Sequence, residues 1–316
     1  ANWTPGVPGG SGTVTQIDAS WTTAKTPALY TMSYTAPAGT DRALVVSVGI
    51  ENNDGTVANL TGTYGGVALY KAIEQGTGET AYNNHAAIFT CNETCLASAG
   101  GGAQDLVFSW TATTYGVWII GAATFDNVDQ TSAASAVFAT NSVSAGSIGT
   151  TPQNFDINVT SGGKAVVGIA VNGQTNSVTG SAGWTEVFDV QSDTAGTGVG
   201  HTYASYTRDA TTAATPATVT LTPGATSSRT PIVGMSLNPS AGTPSPATLD
   251  VIAANTDGSN SGQTVYAVYN TQTFPMTQVG ATNQWTLTAT DALDTYVNNI
   301  DIYSSVDQAG TTVNYP

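Results

Sequence analysis

The side chains that could do chemistry in this chain are few and thinly spread. His85 and His201 are the only imidazoles, and Cys91 and Cys95 the only thiols. Six cations, Lys25, Arg42, Lys71, Lys164, Arg208 and Arg229, stand singly against 21 carboxylates. Hydrolysis needs a nucleophile held beside a base, or two carboxylates at a set separation. No G-x-S-x-G elbow appears, and no spacing selects a carboxylate pair. The two histidines fall in corresponding strands and read as structural residues. The sequence therefore points away from an enzyme.

Other residues suggest binding or modification. The spacing in Cys91-Asn92-Glu93-Thr94-Cys95 is not a redox C-x-x-C, and two cysteines without placed histidines do not complete a zinc site. A local Cys91–Cys95 disulfide at a hairpin tip is expected, formed in an oxidising compartment. The acidic loops around Asp54 and Asp257 offer hard oxygens, which makes them candidates for calcium. Neither loop completes an EF-hand, and Asx turns account for both. No other metal or cofactor is expected. Trp184 with Tyr203 and Tyr206 is the best candidate for a glycan-stacking platform. N-x-T sequons make Asn2, Asn59, Asn92 and Asn158 candidate glycan acceptors.

The scaffold that must position these residues is legible from composition. Only 9% of the 316 residues are charged, against roughly 25% in ordinary globular chains. The net charge of −15 and the scattered cations exclude a nucleic-acid binder, which needs clustered positive charge. No apolar run approaches the length of about 20 residues that a membrane helix needs. The opening Ala1-Asn2-Trp3, without Met, reads as a secreted chain whose leader has been removed.

Period-2 runs recur between Gly and Asn/Asp turns, and helical periodicity is hard to find. Thr and Val favour extended backbone through branching at Cβ. Blocks also recur in order. Arg42–Val48 answers to Lys164–Ala170, Ala86–Thr90 to Tyr203–Thr207, Leu106–Trp110 to Val219–Pro223, and Trp118–Phe125 to Pro231–Asn238. The expected fold is all-β: a tandem or duplicated β-sandwich, jelly-roll or Ig-like, with a small C-terminal β domain. Residues 1–16 read as an extended arm. Residues 17–140 and 141–240 read as two repeats, forming either two sandwiches or one larger one. Residues 241–247 form a Pro-rich linker, and 248–316 a small Ig-like β domain.

Three motifs resemble a known module: Asp41-Arg42-Ala43-Leu44-Val45-Val46-Ser47-Val48, Tyr64-Gly65-Gly66-Val67-Ala68-Leu69 and Phe125-Asp126-Asn127-Val128-Asp129-Gln130-Thr131. The chain resembles, over about residues 15–240, the β-sandwich modules of mostly unassigned function found in bacterial surface proteins and some phage structural proteins. Asp41 replaces the Asn usual there, and Asn127 the usual Gly. The resemblance implies a fold and no catalytic residue. A looser likeness is to extracellular filament subunits, in which the arm of one subunit completes the sheet of the next. It implies that the segment through Thr13–Ala19 serves as donor.

The function expected is that of an extracellular, cell-surface structural protein. Its most concrete form is a self-assembling, pilus-like filament subunit held by strand-edge or donor-strand pairing, or an adhesin module. The expected partner is a second copy of the chain, with surface glycans next, and neither nucleic acid nor membrane insertion. A carbohydrate-binding module of a secreted enzyme and a phage virion structural protein are the alternatives.

Overall fold

A computed structural model of the protein describes residues 2–4, 12–25, 29–52, 58–77, 83–111, 116–145, 148–172, 177–192, 201–210, 214–224, 229–240, 248–252, 263–269, 272–278, 284–288, 301–308 and 311–315. Among these, strands dominate and one short helix, α1 (Glu93–Ala99), interrupts them. The chain forms two units: Ser11–Ser240, and Ala1–Gly10 together with Ala241–Pro316.

The first strand is β1 (Asn2–Thr4). The first half of the larger unit contributes β2 (Thr15–Lys25), β3 (Leu29–Tyr34), β4 (Ala43–Asn52), β5 (Ala58–Tyr64), β6 (Val67–Ala68), β7 (Tyr70–Gly76), β8 (Asn83–Asn92), β9 (Gln104–Thr111) and β10 (Gly116–Asp126). The second half contributes β11 (Val137–Ala145), β12 (Gln153–Val159), β13 (Lys164–Asn172), β14 (Val178–Gly180), β15 (Thr185–Ser192), β16 (His201–Asp209), β17 (Ala214–Pro223) and β18 (Thr230–Leu237). The remaining strands are β19 (Thr248–Ile252), β20 (Gln263–Tyr269), β21 (Gln272–Pro275), β22 (Thr277–Gln278), β23 (Gln284–Thr288), β24 (Asp301–Gln308) and β25 (Thr311–Tyr315).

The larger unit is four layers deep. A five-stranded sheet ordered β2-β10-β4-β8-β7 faces a four-stranded sheet ordered β3-β9-β5-β6. Leu44, Val46, Val48 and Ile50 of β4 share that core with Leu106, Phe108 and Trp110 of β9. The second half repeats the plan, with β11-β18-β13-β16-β15 facing β12-β17-β14. Its core joins Val167 and Ile169 to Phe155, Val219 and Leu221. The two five-stranded sheets then share a third core, hereafter the seam. There Ala43, Val45, Ile88 and Phe125 meet Val166, Phe188, Tyr203 and Val233. The central strands are thus covered on both faces. That explains why segments such as Ala43–Ile50 run apolar without alternation. Burial of each large side chain contributes about 1.5–3 kcal/mol, so three cores suit a chain with few ion pairs.

The two five-stranded sheets have the same strand order, and β3-β9-β5 matches β12-β17-β14 with β6 left without a counterpart, but the sequence blocks need correction by one residue in two places. Ser47 pairs with Ile88 and Gly121, and Gly168 pairs with Ser205 and Val233. Ser47 therefore corresponds to Gly168, not to Ile169, and Gly121 to Val233, not to Gly234. A one-residue slip exchanges the two faces of a strand. Where both faces are apolar, the hydrophobic pattern does not report the error.

The edges of the two large sheets are irregular in the same places. Ile17 of β2 and Phe138 of β11 are skipped in the pairing with β10 and β18. Ala72 of β7 and Val187 of β15 are skipped opposite Phe89/Ile88 and Tyr206/Ser205. The central pairings of both sheets run unbroken.

In the other unit, β1-β19-β23-β22 and β21-β20-β24-β25 form two antiparallel sheets. The described pairings there carry no register shift. β1 lies at a sheet edge, with Asn2 opposite Asp250, Trp3 opposite Leu249 and Thr4 opposite Thr248.

Candidate functional site

The motifs that carry the family resemblance prove to be turn and staple residues. Asp41, Gly65, Gly66 and Asn127 all have positive φ, at 51°, 53°, 80° and 58°. Gly takes that conformation freely, and Asn and Asp more readily than other side chains, which accounts for Asp41 and Asn127 at these positions. Arg42 donates from its backbone N–H and from Nε to Glu93 Oε2, at 3.1 and 2.9 Å, and forms a second contact with Glu93 Oε1. Its third donor reaches the Pro37 carbonyl at 2.7 Å. Gln130 accepts from the Glu93 N–H at 2.8 Å and donates to the Arg42 carbonyl at 3.0 Å. A cleft of about 140 Å³ opens beside this network, walled by Arg42, Glu93, Tyr64, Leu96 and Gly100–Gly102. The Arg42 guanidinium is already engaged by Glu93 and Pro37, so the cleft wall supplies pinned backbone and a neutralised charge pair. Hydrogen bonding to Arg42 holds the Glu93 carboxyl below the usual glutamate range.

The expected disulfide is present between Cys91 and Cys95. Its place differs from expectation. Cys91 is the next-to-last residue of β8 and Cys95 sits in α1, so the bridge ties a helix, not a hairpin tip, to the sheet. Asn92 caps that helix, its Oδ1 accepting from the Cys95 N–H at 3.2 Å. The signal for α1 was in the sequence: an Asn cap, an acid at Glu93 and a glycine just beyond the end.

The two histidines face different cores. His85 Nδ1 stands 3.5 Å from Glu74 Oε1, its ring against Gly76. Burial pushes the Glu74 carboxyl up, but hydrogen bonding to His85 and Lys71 outweighs it and leaves the group low. His201 lies in the seam, wholly buried, and neither ring nitrogen has a hydrogen-bond partner of good geometry. Burial drives its pKa down to about 3, opposed only by the Gly49 backbone. Nearby in the seam, Asn84 donates to the Arg229 carbonyl at 2.9 Å, and Arg229 approaches Glu51 at 4.0 Å. Among the described residues there is no group of three or more His, Cys, Asp or Glu placed to hold a metal ion.

The stacking platform is a correction. Trp184 and Tyr206 belong to the core of the second half, and Tyr203 to the seam on the opposite face of the sheet. All three are buried, and Trp184 spends its indole N–H on the Thr218 carbonyl at 3.0 Å. Tyr203 and Tyr206 are three apart on one strand, so the pleat sends them opposite ways. Asn92 is likewise corrected as a glycan acceptor, being 6% exposed and committed to capping. Asn59 and Asn158 lie exposed on the outer sheets. Asn2 lies in β1, its side chain outside the described residues, as are Asp54 and Asp257 and with them the calcium candidates.

What remains as a site is the set of strand edges. An unpaired edge is a template for another chain unless something blunts it. In the larger unit a one-residue bulge interrupts all four edges of the five-stranded sheets, and bulges break pairing. Asp18 and Asn141 add a second device: each folds back onto the next N–H, of Ala19 at 2.7 Å and Ser142 at 2.9 Å. The segment Thr13–Ala19, expected to be a donor arm, is in this fold part of a paired edge. Val14 is fully buried and donates to the Gly162 carbonyl at 2.8 Å, and β2 begins at Thr15. The pairings β1–β19 and β24–β25 are regular to the sheet edge, as are those of β3, β6 and β14 in the outer sheets of the larger unit. No protein-family model matches the chain, and searches of curated proteins and of solved structures find no match either.

Proposed function

We propose that this chain is an extracellular structural protein that assembles with copies of itself through the strand edges of its smaller unit. The observation that carries this reading is the pairing of β1 with β19. The opening strand crosses no sheet of the Ser11–Ser240 unit. It completes the edge of a sheet whose other strands come from beyond residue 247. The described ladder covers three residues, and backbone hydrogen bonds contribute about 1 kcal/mol net each. The same bonds are offered by the same strand of a second copy, which is the basis of strand exchange.

Several features support a structural role. The larger unit has closed cores, blunted large-sheet edges and a cleft whose Arg42 and Glu93 are spent on each other. No helix among the described residues is long and apolar enough to cross a membrane. The disulfide suits an oxidising compartment. Hydroxyl pairs dress the outer faces: Thr218 to the Asp156 carboxylate at 2.6 Å, Thr220 to the Asn154 amide at 2.8 Å, and Thr61 with Ser109 at 3.1 Å. Electron microscopy of the native protein and of the chain lacking residues 1–10 tests the reading. Polymers from the intact chain and their loss on truncation are expected. Monodisperse particles from the intact chain at high concentration would overturn it.

A further inference from the structure

The asparagines divide sharply by what their side chains touch. Among the described residues, Asn59 and Asn158 make no side-chain hydrogen bond, whereas every other asparagine with a described side chain makes at least one. Among the sequon asparagines with described side chains, Asn59 of Asn59-Leu60-Thr61 and Asn158 of Asn158-Val159-Thr160 are also the exposed ones. An exposed amide without a protein partner is unremarkable alone. That the partnerless pair coincides with the sequons is what needs explaining.

Strand geometry supplies the rest. Side chains alternate across a strand, so Asn59 and Thr61 share the outer face of β5, and Asn158 ends the outward row of β12 with Thr160 just past the strand. The middle residues, Leu60 and Val159, are each 1% exposed and fill the cores beneath. Both asparagines also sit at breaks in the ladder. β5 and β9 slip register between Ala58 and Thr61, and β12 and β17 between Ile157 and Val159. A bulge re-aims the side chain it carries. Along β12 the outward residues Asn154 and Asp156 are bound to threonines across the sheet. Asn158, next in that row, is not.

We infer that Asn59 and Asn158 carry N-linked glycans, one on each outer sheet of the larger unit, and that Asn92 does not. The donor is a lipid diphosphate-linked oligosaccharide. Asparagine Nδ2 bonds to the anomeric carbon, the bond from that carbon to the diphosphate oxygen breaks, Nδ2 loses one proton, and the lipid diphosphate leaves. No oxidant or reductant is involved. Because Leu60 and Val159 are buried once the strands pair, transfer precedes folding of these sheets. Glycans there would hydrate faces that carry hydroxyls in place of charge.

The inference rests on the extracellular part of the reading above. Peptide mass spectrometry of the protein recovered from outside its native cells tests it, with and without a deglycosylating enzyme. Glycan is expected on the peptides holding Asn59 and Asn158, none is expected on Asn92, and Asn59→Gln and Asn158→Gln should each remove one glycan mass. Bare Asn59 and Asn158 in secreted protein, or glycan on Asn92, would overturn the inference and leave the structural reading standing. Protein found only inside the cell would instead overturn the extracellular reading.

Discussion

The Tyr203 ring of β16 occupies the space that a side chain on Gly49 of β4 would need. A Cβ at Gly49 would stand 2.8 Å from Tyr203 Cγ and 3.0 Å from His201 Nε2. The contact crosses the seam, so it reports on how the two halves of the larger unit are joined. Phe188 stacks on the same ring, with centroids 5.9 Å apart. Gly49→Ala meets the root of an enclosed ring, which has little freedom to yield. Overpacking of this kind costs about 1–3 kcal/mol. Denaturant unfolding should show a lower midpoint at unchanged slope. Adding Tyr203→Ala should make the two effects clearly non-additive.

His201 predicts a pH dependence of known sign. Its folded pKa lies at about 3, against an ordinary 6.5. Below 6.5 the unfolded chain takes a proton that the folded chain refuses. Stability from this group is fully present above 6.5 and drains away as pH falls towards 3. His201→Asn should flatten this part of the stability–pH curve. Imidazole NMR should find the His201 ring neutral at pH 5.

The Arg42–Glu93 pair acts in a lower window. Glu93 has its carboxyl depressed, first by hydrogen bonding to Arg42. The contribution is present above the unfolded glutamate value of about 4.3 and is lost as pH falls through the lower folded value. Glu93 is partly exposed, so solvent screening keeps the pair's share small. Glu93→Gln should remove this group's slope between about 4.3 and its lower folded value. It should leave the His201 slope between 6.5 and about 4.3 unchanged, measured as thermal midpoint against pH.

The fold was legible where chemistry is local and obscure where it is mutual. Thr- and Val-rich runs gave the strands, and the spacing of Cys91 and Cys95 gave the bridge. The repeat appeared in strand order, but its register slipped at β4 and at β10. Both are covered on two faces, and hydrophobic pattern alone fixes register only when one face is wet. Tyr203 and Tyr206 looked like a binding surface because aromatics on a strand suit one. Only the sheets packed on the two faces of β16, one over each ring, show otherwise. The blunting of edges was hidden for a related reason. The guards are bulges at Ile17, Ala72, Phe138 and Val187, where backbone does what lysine does in charge-rich proteins, and a bulge leaves no mark in composition.

Strand exchange through β1 is tested most directly by a cysteine pair at Thr4→Cys and Thr248→Cys. The two positions lie opposite each other in the β1–β19 ladder, and antiparallel partners fall within the Cα separation that a disulfide accepts. The native cysteines are both in their own bridge, so the introduced thiols are the reactive ones. Oxidised after assembly and run without reductant, this variant should give a ladder of covalently linked copies, because β1 of one copy then pairs with β19 of another. A single band of monomer, its new bridge closed within one chain, would contradict the account.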